Sequence, residues 1–227
     1  MMSKITYYFI RHGETEADTE HLEQGWSNSP LTETGIRQMQ RLSESFSNLT
    51  IDLAYTSDLE RCVSSAKILL NRQGHDIQIA KMPEFRAFNY GGLEGKKLDR
   101  VWPKPLSQWV KELEQQKVPP SEIVPIILES LKARDPEGRS DTFTEFWERI
   151  ERGMLEVYDD ALELMMEKQS RQLNVVIVSH EEPIRYFLHE VIADFDLSSP
   201  LELGHFAKVS YSKGSYHLHE WNTDQIN

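Results

Sequence analysis

A chain of 227 residues suits one large domain, or one domain carrying an inserted subdomain, and can bury a sizeable core. Its formal charge of −12 and pI near 5.2 argue against a sequence-independent grip on nucleic acid, which needs a basic stripe. Cys62 is the only cysteine, which excludes an intrachain disulfide and a cysteine-based metal cluster and fits a reducing compartment.

In chain order, Met1-Met2-Ser3-Lys4 leads straight into the apolar run Ile5 to Ile10, too short for the core of a signal sequence. No stretch reaches the roughly 18 apolar residues of a membrane span, so a cytoplasmic protein without a membrane partner is expected. The run ends in Arg11-His12-Gly13-Glu14-Thr15, placing an arginine and a histidine at a strand's C-terminal end, where open α/β sheets put their chemistry. Glu16 to Pro30 is a long polar loop of the kind that carries function. Thr32 then caps a helix with Ile36, Met39, Leu42 and Phe46 on its apolar face.

A second β-like run, Ile51 to Thr56, ends in Ser57-x-x-Glu60, which predicts a capping box and a helix with Arg61 in its first turn. Cys62 falls on that helix's apolar face and reads as a small core residue. A short strand is expected around Ile77 to Ala80. Residues 96–140 carry six prolines that break them into short helices, read as an inserted lid, with a helical excursion covering a sheet edge as the alternative. Thr142 and Glu145 form a capping box for a long amphipathic helix. The run Asn174 to Ser179 is of buried parallel-strand type and ends in His180; a helix from Pro183 to Ala193 and a hairpin through Ser212-Lys213-Gly214 close the chain. The pattern predicts an α/β fold: one three-layer, doubly wound, mostly parallel sheet with helices on both faces, spanning 1–227, with a helical lid inserted at about 96–140.

Three strand ends thus supply Arg11 with His12, Arg61, and His180. Together with Gly25-Trp26-Ser27, Ser29-Pro30-Leu31-Thr32 and Tyr90-Gly91-Gly92-Leu93-Glu94-Gly95, this ordered set resembles the histidine phosphatase superfamily, the phosphoglycerate-mutase-like fold, from residue 4 to about 220. The resemblance implies that His12 is the nucleophile, that Arg11 and Arg61 hold phosphate oxygens, and that His180 donates to a third. It places Asp18, Gln24 and Gly25 at substrate-loop positions. The residue types suit the task, because a phosphomonoester carries about two negative charges and its transfer needs fixed cationic donors more than a strong base. No cofactor and no metal are called for; His217-x-His219 is the one histidine spacing resembling a ligand pair, and on a strand it reads as a same-face surface pair.

The chain departs from the family in three places. Asp18 stands where an asparagine is usual. Ala87 stands where a glutamate normally protonates the leaving group, and His180 is followed by Glu181-Glu182 instead of glycine. Glu181 is therefore the expected replacement acid, with Glu84 as the alternative. The expected activity is metal-independent hydrolysis of a small phosphorylated metabolite. A cofactor-dependent phosphoglycerate mutase and a non-catalytic binder of a phospholigand or partner protein are the alternatives. Arg139 is a candidate for a second anionic group. Substrate identity and oligomeric state stay open.

Overall fold

The structure, a computed structural model, describes residues 3–226. Its strands are β1 (Lys4–Arg11), β2 (Leu53–Thr56), β3 (Ile79–Lys81), β4 (Gln172–Ser179), β5 (Phe206–Ser212) and β6 (Ser215–Thr223). They form one sheet in the order β3-β2-β4-β1-β5-β6, with the first four parallel and β5 and β6 antiparallel. The helices are α1 (Glu16–Thr19), α2 (Glu33–Ser45), α3 (Glu60–Leu70), α4 (Leu98–Val101), α5 (Leu106–Gln115), α6 (Pro120–Arg134), α7 (Phe143–Lys168) and α8 (Glu181–Val191).

Successive strand side chains point to opposite faces, and this alternation makes the layers. Ile5, Tyr7 and Phe9 of β1 and Leu173, Val175 and Ile177 of β4 pack with residues of α5 to α8. The intervening Tyr8, Ile10, Val176 and Val178 pack with Met39 and Leu42 of α2 and Cys62, Ala66 and Leu69 of α3. Both faces are covered, which is why these strands read as continuous apolar runs. The segment from α4 to α6 is not loosely attached, since Val110, Leu113, Ile127, Leu128 and Leu131 join the same buried layer as α7 and α8.

Threonine caps set three of the helix starts, those of α1, α2 and α7. The Thr32 hydroxyl accepts from the Gly35 N–H at 3.0 Å, and Thr142 with Glu145 completes both halves of a capping box. The box expected at Ser57 and Glu60 does not form. Ser57 is still extended, its N–H bonded to Val178 of β4, so α3 begins only at Glu60, after an N-cap Leu59 that has no side-chain cap. Asn28 supplies the missing acceptor from the polar loop, its Oδ1 lying 3.1 Å from the Glu60 N–H. β3 is shorter and later than expected, and α8 starts two residues before Pro183, whose missing N–H falls among the orphan donors of the first turn. The hairpin turns on Lys213 and Gly214, both at positive φ, as a tight two-residue turn requires. Among the described residues no helix is long and apolar enough to cross a membrane.

Register decides where the chemistry lands. Arg11 pairs with Ser179 and Thr56 with Val178, so β1, β4 and β2 end level with one another. The residues that follow these ends converge on one edge of the sheet.

Candidate active site

His12 and His180 face each other there, ring centroids 5.2 Å apart and planes at 67°. His12 Nδ1 lies 2.8 Å from the Gly13 carbonyl oxygen, and its Nε2 lies 3.2 Å from Arg61 Nε. The partners dictate the tautomer: Nδ1 meets an acceptor and carries the proton, while Nε2 meets a donor and keeps its lone pair. Burial, then the charges of Arg61 and Arg11, hold His12 well below the usual histidine range, so the ring is neutral. His180 is neutral for the same reasons, burial first, and its Nε2 is 3.1 Å from the Ser57 hydroxyl and 3.4 Å from the Cys62 thiol. Burial pushes that thiol up to about 12, leaving an unreactive packing group beside His180.

Backbone close approach shapes the floor. A Cβ on Gly13 would come within 2.6 Å of the Gly35 carbonyl oxygen, so the His12 turn can press on the start of α2 only without side chains.

Arg61 is 1% exposed and is held by loop backbone. Its Nη1 donates to the Ser27 carbonyl and its Nη2 to the Gly25 carbonyl, each at 2.8 Å. Those carbonyls point inward because the Glu94 carboxylate gathers the opposite side of the loop, accepting from the N–H groups of Gly25, Trp26 and Ser27 at 3.1, 2.8 and 3.2 Å. Tyr90-Gly-Gly-Leu-Glu-Gly95 is therefore a brace for Arg61. Gly25 must be glycine, since a Cβ would lie 2.2 Å from the Phe88 carbonyl oxygen. Trp26 completes the brace, donating to the Ala87 carbonyl at 3.0 Å under the Arg86 guanidinium, 4.6 Å from the ring centre.

The remaining expected residues are placed unequally. Arg11, His12, Asp18, Gln24, His180 and Glu181 line one cleft of about 650 Å³. Gly25 and Arg61 lie behind it. Asp18 is turned toward its own backbone, one carboxylate oxygen accepting from the Thr15 N–H and hydroxyl at 2.8 and 2.6 Å, which answers the repulsion expected from its charge. Gln24 donates to the same hydroxyl at 2.7 Å.

The expected acid role of Glu181 runs into its bonding. One of its oxygens is taken by Arg11 and the other by Arg185, 2.6 Å away, so neither is free to hold a proton for a leaving group. The i, i+4 spacing to Arg185 was readable as a helix ion pair. Glu84 does not line the cleft; it faces Arg152 at 3.6 Å. Arg139 is also away from the cleft, in a surface pair with Glu137. His217 and His219 share the outward face of β6. Among the described residues no group of three or more His, Cys, Asp or Glu side chains is placed to hold a metal ion.

Three further carboxyl groups enter the cleft, Glu23, Glu182 and the exposed Asp99 of α4. Glu23 comes from the polar loop and accepts from the Trp102 indole N–H; Glu182 comes from the first turn of α8 and accepts from the Tyr90 hydroxyl at 3.2 Å. Burial, with the nearby Glu182, pushes Glu23 up to about 8. Glu182 is also raised, by burial and then by Glu181. The opposite wall is largely apolar, from Leu22, Leu98, Trp102, Pro103, Pro105 and Leu106.

A family model for the histidine phosphatase superfamily (branch 1) matches residues 7–227. Curated proteins of Yersinia pestis and Yersinia pseudotuberculosis named "Probable phosphoglycerate mutase GpmB" are 33% identical over 160 residues, 70% of this chain and 64% of theirs. The match thus spans less than two thirds of those relatives. A phosphoglycerate mutase structure from Bacillus anthracis superposes with a TM-score of 0.83 at 23% identity, covering 98% of this chain and 95% of that one. The alpha-ribazole phosphatase of Shigella flexneri superposes with a TM-score of 0.70 at 20% identity, covering 98% of each. At these identities the superpositions show a shared fold.

Proposed function

The chain belongs to the histidine phosphatase superfamily, branch 1, whose members are phosphatases or mutases, and we propose that this one hydrolyses a small phosphomonoester through a phosphohistidine at His12, without a metal ion. The observation that carries the reading is the bonding of His12: a neutral ring with its proton fixed on Nδ1 and its Nε2 lone pair directed at the guanidinium that would hold the phosphate. Nε2 attacks phosphorus in line. Arg11 and Arg61 neutralise the equatorial oxygens, and His180 donates to one of them as charge redistributes. Asp18 and Gln24 hold the rim of the substrate loop, and Gly25 acts through Arg61. Glu181 acts through Arg11, fixing the guanidinium it is paired with. The 96–140 segment serves as the lid, its apolar wall receiving the organic part of the substrate. The buried, single thiol suits a cytoplasmic setting.

A mutase is the second reading, favoured by the 33% identity to the GpmB proteins. The deciding experiment is hydrolysis of p-nitrophenyl phosphate in excess chelator, native chain against His12→Ala. Under the phosphatase reading turnover persists in chelator and falls at least about 10,000-fold in the variant. Turnover that survives the variant, or that needs added metal, defeats it. Transfer between the hydroxyls of a phosphoglycerate, with no release of inorganic phosphate, assigns the mutase instead; neither reaction, with binding unaffected by His12→Ala, assigns a binder.

A further inference from the structure

Hydrolysis of an alkyl phosphate needs a proton for the departing oxygen, and the usual donor position is Ala87, whose side chain is fully buried and carries no acid. The carboxyl groups lining the cleft are Asp18, Glu23, Asp99, Glu181 and Glu182. Asp18 is bonded to Thr15, Glu181 is divided between two arginines, and Asp99 sits exposed on α4. Glu23 and Glu182 are left. Each accepts a hydrogen bond from an aromatic donor, Trp102 or Tyr90, that fixes the carboxyl plane without supplying a countercharge.

We infer that Glu182, backed by Glu23, is the leaving-group acid of this site; the inference rests on the phosphatase reading above. Glu182 is the one carried by the floor: it sits in the first turn of α8, two residues after His180 and next to the Glu181 that pairs with Arg11, whereas Glu23 comes from the polar loop and is bonded to Trp102. The groups around the pair are Trp102 from the lid, Tyr90 and Glu94 from the brace, Arg11 and Arg61 from the floor, and Glu181 and Tyr186 of α8, the Tyr186 hydroxyl having no hydrogen-bond partner among the described residues. Burial raises both carboxyls, with Glu181 adding to the effect on Glu182 and Glu182 to that on Glu23, so each holds its proton more firmly than an exposed carboxyl does.

The chemistry then balances. His12 Nε2 forms the N–P bond while the P–O ester bond breaks; its electron pair goes to the departing oxygen, which takes the Glu182 proton and leaves as the alcohol. In the second half water attacks phosphorus and gives its proton to the Glu182 carboxylate. The N–P electron pair returns to Nε2, inorganic phosphate leaves, and the carboxyl group is protonated again.

The test compares glycerol 2-phosphate with p-nitrophenyl phosphate, whose leaving group needs little protonation, across pH for the native chain, Glu182→Gln, Glu23→Gln and Glu181→Gln. Glu182→Gln is expected to slow the alkyl substrate about 100- to 10,000-fold and the aryl substrate less than about tenfold. Glu23→Gln is expected to change the alkyl-to-aryl ratio less than about tenfold; a selective alkyl loss in Glu23→Gln but not in Glu182→Gln would place the acid at Glu23 and overturn the inference. Glu181→Gln slows both substrates equally, through Arg11. Equal slowing of both substrates by Glu182→Gln, unchanged alkyl turnover, or a selective alkyl loss only in Glu181→Gln each overturns the inference while leaving the phosphatase reading intact. Should Glu182→Gln fail to fold, Glu182→Asp takes its place, and equal slowing of both substrates there overturns it. Absence of aryl turnover in the native chain defeats the phosphatase reading, and this inference with it.

Discussion

The floor of the cleft and its wall are built by different means. Arg11, His12 and His180 are carried by level strand ends, so backbone hydrogen bonding of β1 and β4 fixes them within one register. Glu23, Trp102, Tyr90 and Glu182 come from a loop, the 96–140 segment, a turn and a helix, and meet through side-chain bonds between residues up to 92 positions apart. A floor held by backbone tolerates little change in chemistry or position. A wall held by side chains can change one residue at a time without moving the strand ends.

The contrast breaks most visibly at Arg61. Arg61→Lys keeps a charge but loses the fork that spans Gly25, Ser27 and His12, and kcat on p-nitrophenyl phosphate is expected to fall about 100- to 1,000-fold. A fall below about tenfold would mean that point charge suffices and the brace is incidental. Glu94→Ala should come next, removing the acceptor of three loop N–H groups and loosening Arg61 without touching substrate. We expect a loss of about 2–4 kcal/mol in denaturant unfolding and a rise in KM, since charge-assisted bonds of this kind contribute about 1.5–3 kcal/mol each and part is regained from water.

The wall's contribution to stability has the opposite sign. Glu23 stays protonated in the fold up to about pH 8, whereas the unfolded chain releases that proton near the ordinary carboxyl range, so its burial destabilises progressively as pH rises from about 4.5 to 8. Glu23→Gln removes that linkage and should raise Tm at pH 8 relative to the native chain, with the gain shrinking toward pH 5. His12 and His180 act from the other side: depressed in the fold, they cost stability as pH falls below about 6.5, where the unfolded chain takes up protons. A native Tm that climbs steadily from pH 7 to 9 would contradict the account of Glu23.

The same division explains what sequence could tell. Arg11-His12, Arg61 and His180 each follow an apolar run, and runs of that kind mark buried strands whether or not their neighbours are known. The brace was visible as a motif, but not as a brace, because Glu94 meets Gly25 to Ser27 across 67 to 69 residues. At Ser57 long-range contacts override the local signal: its spacing to Glu60 fits a capping box, yet its N–H is bonded to Val178 across the sheet and its hydroxyl faces His180. The pairing of Glu181 could have been anticipated from Arg185 one helical turn on. Nothing local distinguishes Glu23 from any other loop glutamate, since its partner Trp102 arrives from the 96–140 segment, 79 residues on.

The contact between Arg61 Nε and His12 Nε2 also has a meaning for the resting protein's reactivity. The one lone pair able to attack an electrophile is occupied by a guanidinium N–H until something draws that donor away. A phosphate does so, since its oxygens compete for the guanidinium, and an uncharged acylating or alkylating reagent does not. Selectivity for anions is thus exercised on the nucleophile itself, and His12 should resist neutral histidine-modifying reagents that readily label exposed imidazoles such as His217.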